Sequence, residues 1–131
     1  MMTKQEHIDH WVSTAAEDWI TVEVLFTTER YMHCLFWSHL TLEKLAKAHW
    51  IKNHNDNIPP KVHNIVWLLD ESGVDLGNET MGFLENFNDF QLSSRYPDYL
   101  NKMYKICTKD FATAAMEKVK EVRTCLLKML Q

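Results

Sequence analysis

Glycine and proline are nearly absent from this chain: 131 residues contain three of each. So few turn-forming residues argue against a β-sandwich, a collagen-like repeat or a long flexible linker, and they favour helices. Cysteine is equally scarce. Cys34, Cys107 and Cys125 are odd in number, widely spaced and without a CxxC pair, so neither a disulfide framework nor a thiolate zinc site is indicated. All three are expected at core or half-buried helix positions. No apolar run approaches the ~18 residues that a membrane span needs. The polar start Met1-Met2-Thr3-Lys4-Gln5-Glu6-His7 does not read as a signal peptide. What is there, 46% hydrophobic and 24% charged residues, is the mix of a folded globular chain. The expectation is a cytoplasmic, all-α protein with one domain over residues 1–131 and no membrane association.

Periodicity places the helices. Thr3-Lys4-Gln5-Glu6 has the form of a capping box. Behind it Ile8, Trp11, Val12, Ala15, Trp19, Val22 and Phe26 recur every three or four residues, which predicts a long helix from about Thr3 to Glu29. A second long helix is expected from about Tyr31 to Asn53. Its apolar residues, from Cys34 and Leu35 through Leu45 to Ile51, cover most of the circumference. Such a helix is central, and either other helices of the chain or a second subunit would cover its far side. Glu43 and Lys47, four apart, read as a helix-surface ion pair of only ~0.2–0.5 kcal/mol. Pro59-Pro60 ends the helical pattern. Short helices are expected from about Asn64 to Glu71, closed by Ser72-Gly73, and from about Glu79 to Phe90. Pro97 then breaks the pattern. Thr108 caps a last long helix to about Met129, with Phe111, Ala115, Val119, Val122, Leu126 and Met129 as its inner stripe. Three long and two short helices make an antiparallel up-and-down bundle, an architecture that assigns no activity by itself.

Charge is divided unevenly. Residues 1–93 hold 6 basic and 14 acidic side chains, whereas residues 94–131 hold 8 and 4. This division argues against a uniformly basic nucleic-acid coat; the C-terminal part suits an anion or, equally, forms a solvated lysine-rich helix that complements acidic helices of the same bundle. Seven histidines invite a metal reading. His7 and His10 share a helical face near Glu6, yet no HExxH and no repeated Glu-x-x-His accompanies them. His33, His39, His49 and His54 are spread around the second helix and do not converge by themselves. No metal or cofactor is expected. A GxSxG elbow and a glycine-rich phosphate loop are both missing. The five tryptophans fit core or interface anchors better than a base-stacking surface.

Three segments stand out together: Leu42-Glu43-Lys44-Leu45-Ala46-Lys47-Ala48, then Ile58-Pro59-Pro60-Lys61-Val62-His63-Asn64, then Ser94-Arg95-Tyr96-Pro97-Asp98-Tyr99. In this order, with Ala15-Ala16-Glu17-Asp18 in the first helix, the chain resembles the HEPN family over about residues 8–127. These are small helical domains of higher eukaryotes and prokaryotes linked to nucleotide binding. Two departures matter. Val62 stands where members often have threonine before the turn histidine. Many HEPN ribonucleases also carry an arginine followed four to six residues later by histidine, whereas here the last histidine is His63.

The resemblance implies a bundle that commonly pairs as a homodimer and binds nucleotide or RNA. It often works beside a minimal nucleotidyltransferase in modules of the toxin–antitoxin type. Without the arginine–histidine signature, no catalytic residue is assigned. The expected function is a non-catalytic nucleotide-binding or substrate-presenting module; the alternative is a ribonuclease-like toxin using different residues. Candidate nucleotide contacts are Arg95, Tyr96, Lys61, His63 and Lys102. Arg95 offers a fork suited to phosphate and the lysines add charge. A purely structural reading pairs Arg95 with Asp98 around Pro97. It likewise leaves His63 beside a helix cap formed by Asn64.

Overall fold

The structure, a computed structural model, describes residues 1–91 and 97–131. Six α-helices run through these residues: α1 (Lys4–Thr27), α2 (Tyr31–Lys52), α3 (Ile65–Glu71), α4 (Asn78–Phe87), α5 (Pro97–Ile106) and α6 (Lys109–Met129). A single 3-10 turn, Asn88–Phe90, extends α4. No strand occurs among the described residues, as expected of an all-α bundle.

Local chemistry sets the helix ends. The Thr3 hydroxyl accepts from the Glu6 backbone N–H, and the Glu6 carboxylate accepts from that of Thr3, so the capping box forms. That hydrogen bond also pulls the Glu6 carboxyl below its ordinary pKa. Asn64 and Thr108 cap α3 and α6 in the same way, through Trp67 and Phe111. Gly73 closes α3 in the left-handed region (φ 69°), a backbone conformation that glycine adopts without strain. The sequence pattern missed α5. Proline at the first helical position lacks only an N–H that has no intrahelical partner anyway, so Pro97 starts this helix rather than breaking one.

Packing then orders the helices around α2. It lies against α1 along the hairpin and also touches α3, α6 and the 3-10 turn. Leu35, Leu42 and Leu45 of α2 are fully buried with Val22, Leu68, Leu69, Leu84 and Leu126. Each such leucine contributes about 1.5–3 kcal/mol, several times any surface ion pair, so the α2 surface decides the fold. The cover for its far side comes from within the chain, which removes the reason α2 gave for a second subunit. Three inward expectations fail: Phe111, Met129 and Cys125 are exposed. Phe111 sits in the first turn of α6, where its ring meets only Phe90 (centroids 6.2 Å apart) and leaves its other side open, and Met129 sits in the last turn. Cys34 and Cys107 are buried, and burial pushes both thiols up to about 11.

The ends of α2 and α6 are tied by cations and one imidazole. Lys4 donates to the carbonyls of Ile51 and His54, both at 2.7 Å, and Lys52 donates to that of Met129. These carbonyls have no intrahelical donor, and lysines at helix C-termini supply one. His49 Nε2–H donates to the Leu126 carbonyl at 2.8 Å inside the core. No described helix is long and apolar enough to cross a membrane.

Candidate functional site

A carboxylate without a solvent face marks the site. Residues 39, 43 and 47 are spaced by four, so they line one edge of α2. On most helices that edge would face water; on α2 it is enclosed. The side chains of Glu43 and Lys47 are only 6% and 9% exposed, which overturns their reading as a surface pair. Lys47 Nζ donates to Glu43 Oε2 at 3.1 Å and rests over the Trp11 ring, 5.4 Å from its centroid. Trp11 thus shields the pair from water on the α1 side. A buried pair that loses one partner is destabilised by about 3–5 kcal/mol, an order of magnitude above the surface value.

Glu43 has a second hydrogen-bonding neighbour. The chain leaving α2 turns at Asn57 to Pro60 and returns His63 to the same carboxylate. His63 Nδ1–H donates to Glu43 at 3.1 Å and 3.3 Å, while the ring remains 49% exposed. Its Nε2 has no partner among the described residues. The histidine therefore presents one nitrogen outward and is oriented by a buried carboxylate through the other. This is the arrangement that fixes tautomer and direction in carboxylate–histidine pairs.

The second histidine of the cluster is held differently. Asn88 Oδ1 accepts the Ile65 backbone N–H at 3.1 Å, which identifies that atom as the oxygen. His39 Nε2, 3.0 Å from the same oxygen, must then be the donor. Burial lowers the His39 pKa, so the ring is neutral and its Nδ1 carries a lone pair. Nδ1 lies 3.9 Å from Glu43, too far for a hydrogen bond. Asn88 also donates to Asn64 Oδ1, the α3 cap. His39 and Asn88 thus brace the wall behind Glu43, and Asn64 locks the segment that delivers His63.

Of the candidates drawn from sequence, His63 reaches this cluster. Lys61 and Lys102 are exposed and enter no ion pair among the described residues. Arg95 and Tyr96 lie outside the described residues, as does the proposed Arg95–Asp98 pair. Sequence reasoning missed Glu43, Lys47, His39 and Asn88. The α2 histidines are not expected to converge by themselves, and His39 enters the cluster only because His63, from outside α2, reaches the same Glu43. A usable signal existed: Glu43 and Lys47 stand in a helix whose apolar residues leave no solvent face. Among the described residues no group of three or more His, Cys, Asp or Glu side chains is arranged to hold a metal ion.

The HEPN domain matches residues 8–130, and the chain belongs to the HEPN domain family. No curated protein and no solved structure matches it.

Proposed function

We propose that this HEPN domain is a nucleotide-binding module that holds or presents its ligand without cleaving it, acting beside a nucleotidyltransferase partner. The observation that carries the reading is the half-exposed His63 ring anchored on buried Glu43. A phosphate approaching Nε2 would meet an imidazole already oriented by a carboxylate on its other side, and a proton shared with the phosphate oxygen would make a charge-assisted contact. Cleaving a phosphodiester by acid–base chemistry needs one group to take the 2′ proton and another to protonate the leaving oxygen. Here only one of the four clustered groups reaches solvent: His39 is enclosed, and Lys47 is covered and already joined to Glu43. Binding therefore suits the site better than cleavage. Arg95, Tyr96 and Lys102, in the basic part of the chain, and Lys61 remain the proposed nucleotide contacts.

Calorimetry with a panel of nucleotides on the wild type and His63→Ala tests this reading. His63→Ala is expected to weaken binding by about tenfold or more, since a charged hydrogen bond is worth roughly 1.5–3 kcal/mol. Arg95→Ala is expected to do the same with thermal stability unchanged. Incubation with RNA should leave it intact. RNA degradation that survives repurification and is lost in His63→Ala would replace binding with the cleavage reading. No heat with any nucleotide would remove both.

A further inference from the structure

The two nitrogens of His63 are held in different states. Nδ1 carries the proton, because the ionised Glu43 carboxylate accepts and cannot donate. Nε2 of the neutral ring therefore carries a lone pair, on a side chain that is 49% exposed. We propose that His63 Nε2 is a phosphoryl acceptor, a nucleophile that takes a phosphoryl group from a small donor such as a phosphoramidate, with Glu43 as its positioning residue. The choice of a phosphoryl group rests on the nucleotide-binding reading, which brings phosphates to this nitrogen. The donor is not the bound nucleotide, so the site still leaves its ligand uncleaved.

The chain holds seven histidines, and their surroundings single out this one. His39 and His49 are buried, and the Nε2 of each is engaged, by the Asn88 side-chain oxygen and by the Leu126 carbonyl. His54 is the nearest match. Its Nδ1–H also donates, at 2.7 Å, but to the Trp50 carbonyl, and its ring stacks on the Trp50 indole with centroids 4.0 Å apart. A neutral carbonyl orients that ring without placing a charge behind it. His7, His10 and His33 have no ring hydrogen bond among the described residues, so nothing there fixes which nitrogen carries the proton. His63 alone combines an exposed ring, a fixed tautomer and a buried anion behind it.

Each part of the step has its group. The Nε2 lone pair attacks phosphorus and forms the N–P bond, while the donor's own P–N bond breaks and ammonia leaves with that electron pair. The zwitterionic donor already carries its nitrogen as an ammonium, so no proton has to be supplied. The ring becomes positive as the new bond forms. Nδ1 lies 3.1 Å from Glu43 Oε1, and the carboxylate stabilises that charge. Lys47, bonded to Glu43 Oε2, keeps the carboxylate in place.

Phosphoramidate offered to the full chain tests this, with mass spectrometry at neutral pH reading how fast each histidine gains a phosphoryl group. His63 should be modified on Nε2 about tenfold faster than His54 or His10, the usual weight of a carboxylate set behind an imidazole. Glu43→Gln keeps an acceptor for Nδ1–H but removes its charge, so it should slow His63 about tenfold and leave His10 unchanged. A wild-type His63 no faster than His54 and His10 would overturn the proposal, as would a phosphoryl group on Nδ1 or no modification at all. That ranking is read within one folded protein, so it stands whether or not Glu43→Gln folds. An unslowed His63 in folded Glu43→Gln would overturn the role of Glu43. Calorimetry with nucleotides separates the two readings: binding without phosphorylation removes the acceptor and keeps nucleotide binding, and phosphorylation without binding does the reverse.

Discussion

Helix α2 buries two histidines ten residues apart, and their surroundings differ in kind. His49 gives its one proton to the Leu126 carbonyl and is otherwise packed among apolar groups. Its region is complete: one donor, one acceptor, no net charge, no opening. His39 is equally buried and also neutral, but it backs onto a charged region. There a carboxylate is held by a buried lysine and by an imidazole that is half in water. Burial lowers both histidine pKa values for the same reason, desolvation, so a shifted pKa alone does not separate them. An oriented group with an unused atom facing solvent does.

The sharpest way to break this contrast is to remove the charge at its centre. Glu43→Ala strands Lys47 in a low-dielectric site and releases His63, and urea denaturation should read a loss of about 3–5 kcal/mol. A loss below 1 kcal/mol would mean that Glu43 and Lys47 are solvated after all. His49→Ala should cost less, about 1–3 kcal/mol, because it orphans a single buried carbonyl. It should also leave nucleotide affinity unchanged. If His49→Ala lowered affinity as much as His63→Ala, the division between a structural and a functional histidine would fail.

A smaller effect is set by pH and acts on both regions together. His39 and His49 are held neutral by burial, whereas in the unfolded chain they take up protons near their ordinary value of 6.5. The unfolded state therefore binds more protons below that value, and stability falls as pH drops through 6.5. The buried thiols of Cys34 and Cys107 act on the other side. Their pKa values rise from 9.0 to about 11, so stability is full below pH 9 and declines above it. Denaturation midpoints should form a plateau between these limits. The acid-side decline should shrink in His49→Leu, and an unchanged decline would place the responsible groups elsewhere.

How much of this was legible in the residues follows from the physics of each signal. Helix starts written in short-range chemistry, such as Thr3 with Glu6, Asn64 and Thr108, appear at their expected positions. So do the stripes of α1 and the all-round apolar surface of α2. Pro97 was ambiguous because the same residue stops a helix from inside and starts one at its first position. The site was less legible. Spacing put Glu43 four residues from His39 and from Lys47, but spacing cannot say whether that edge meets water. His63, twenty residues away, reaches Glu43 only because Asn64 and Asn88 fix the returning chain. Contacts made across a turn by three separate segments leave no periodic trace in the sequence.

The central claim is that Glu43 serves the ligand through His63. A double-mutant cycle on nucleotide affinity tests it most directly, with wild type, Glu43→Gln, His63→Ala and the double variant titrated at one pH. Each single change should weaken binding, His63→Ala by tenfold or more. In the His63→Ala background, Glu43→Gln should then change affinity by less than about twofold. Independent losses that multiply in the double variant would contradict the account, as would a Glu43→Gln protein that binds as tightly as the wild type.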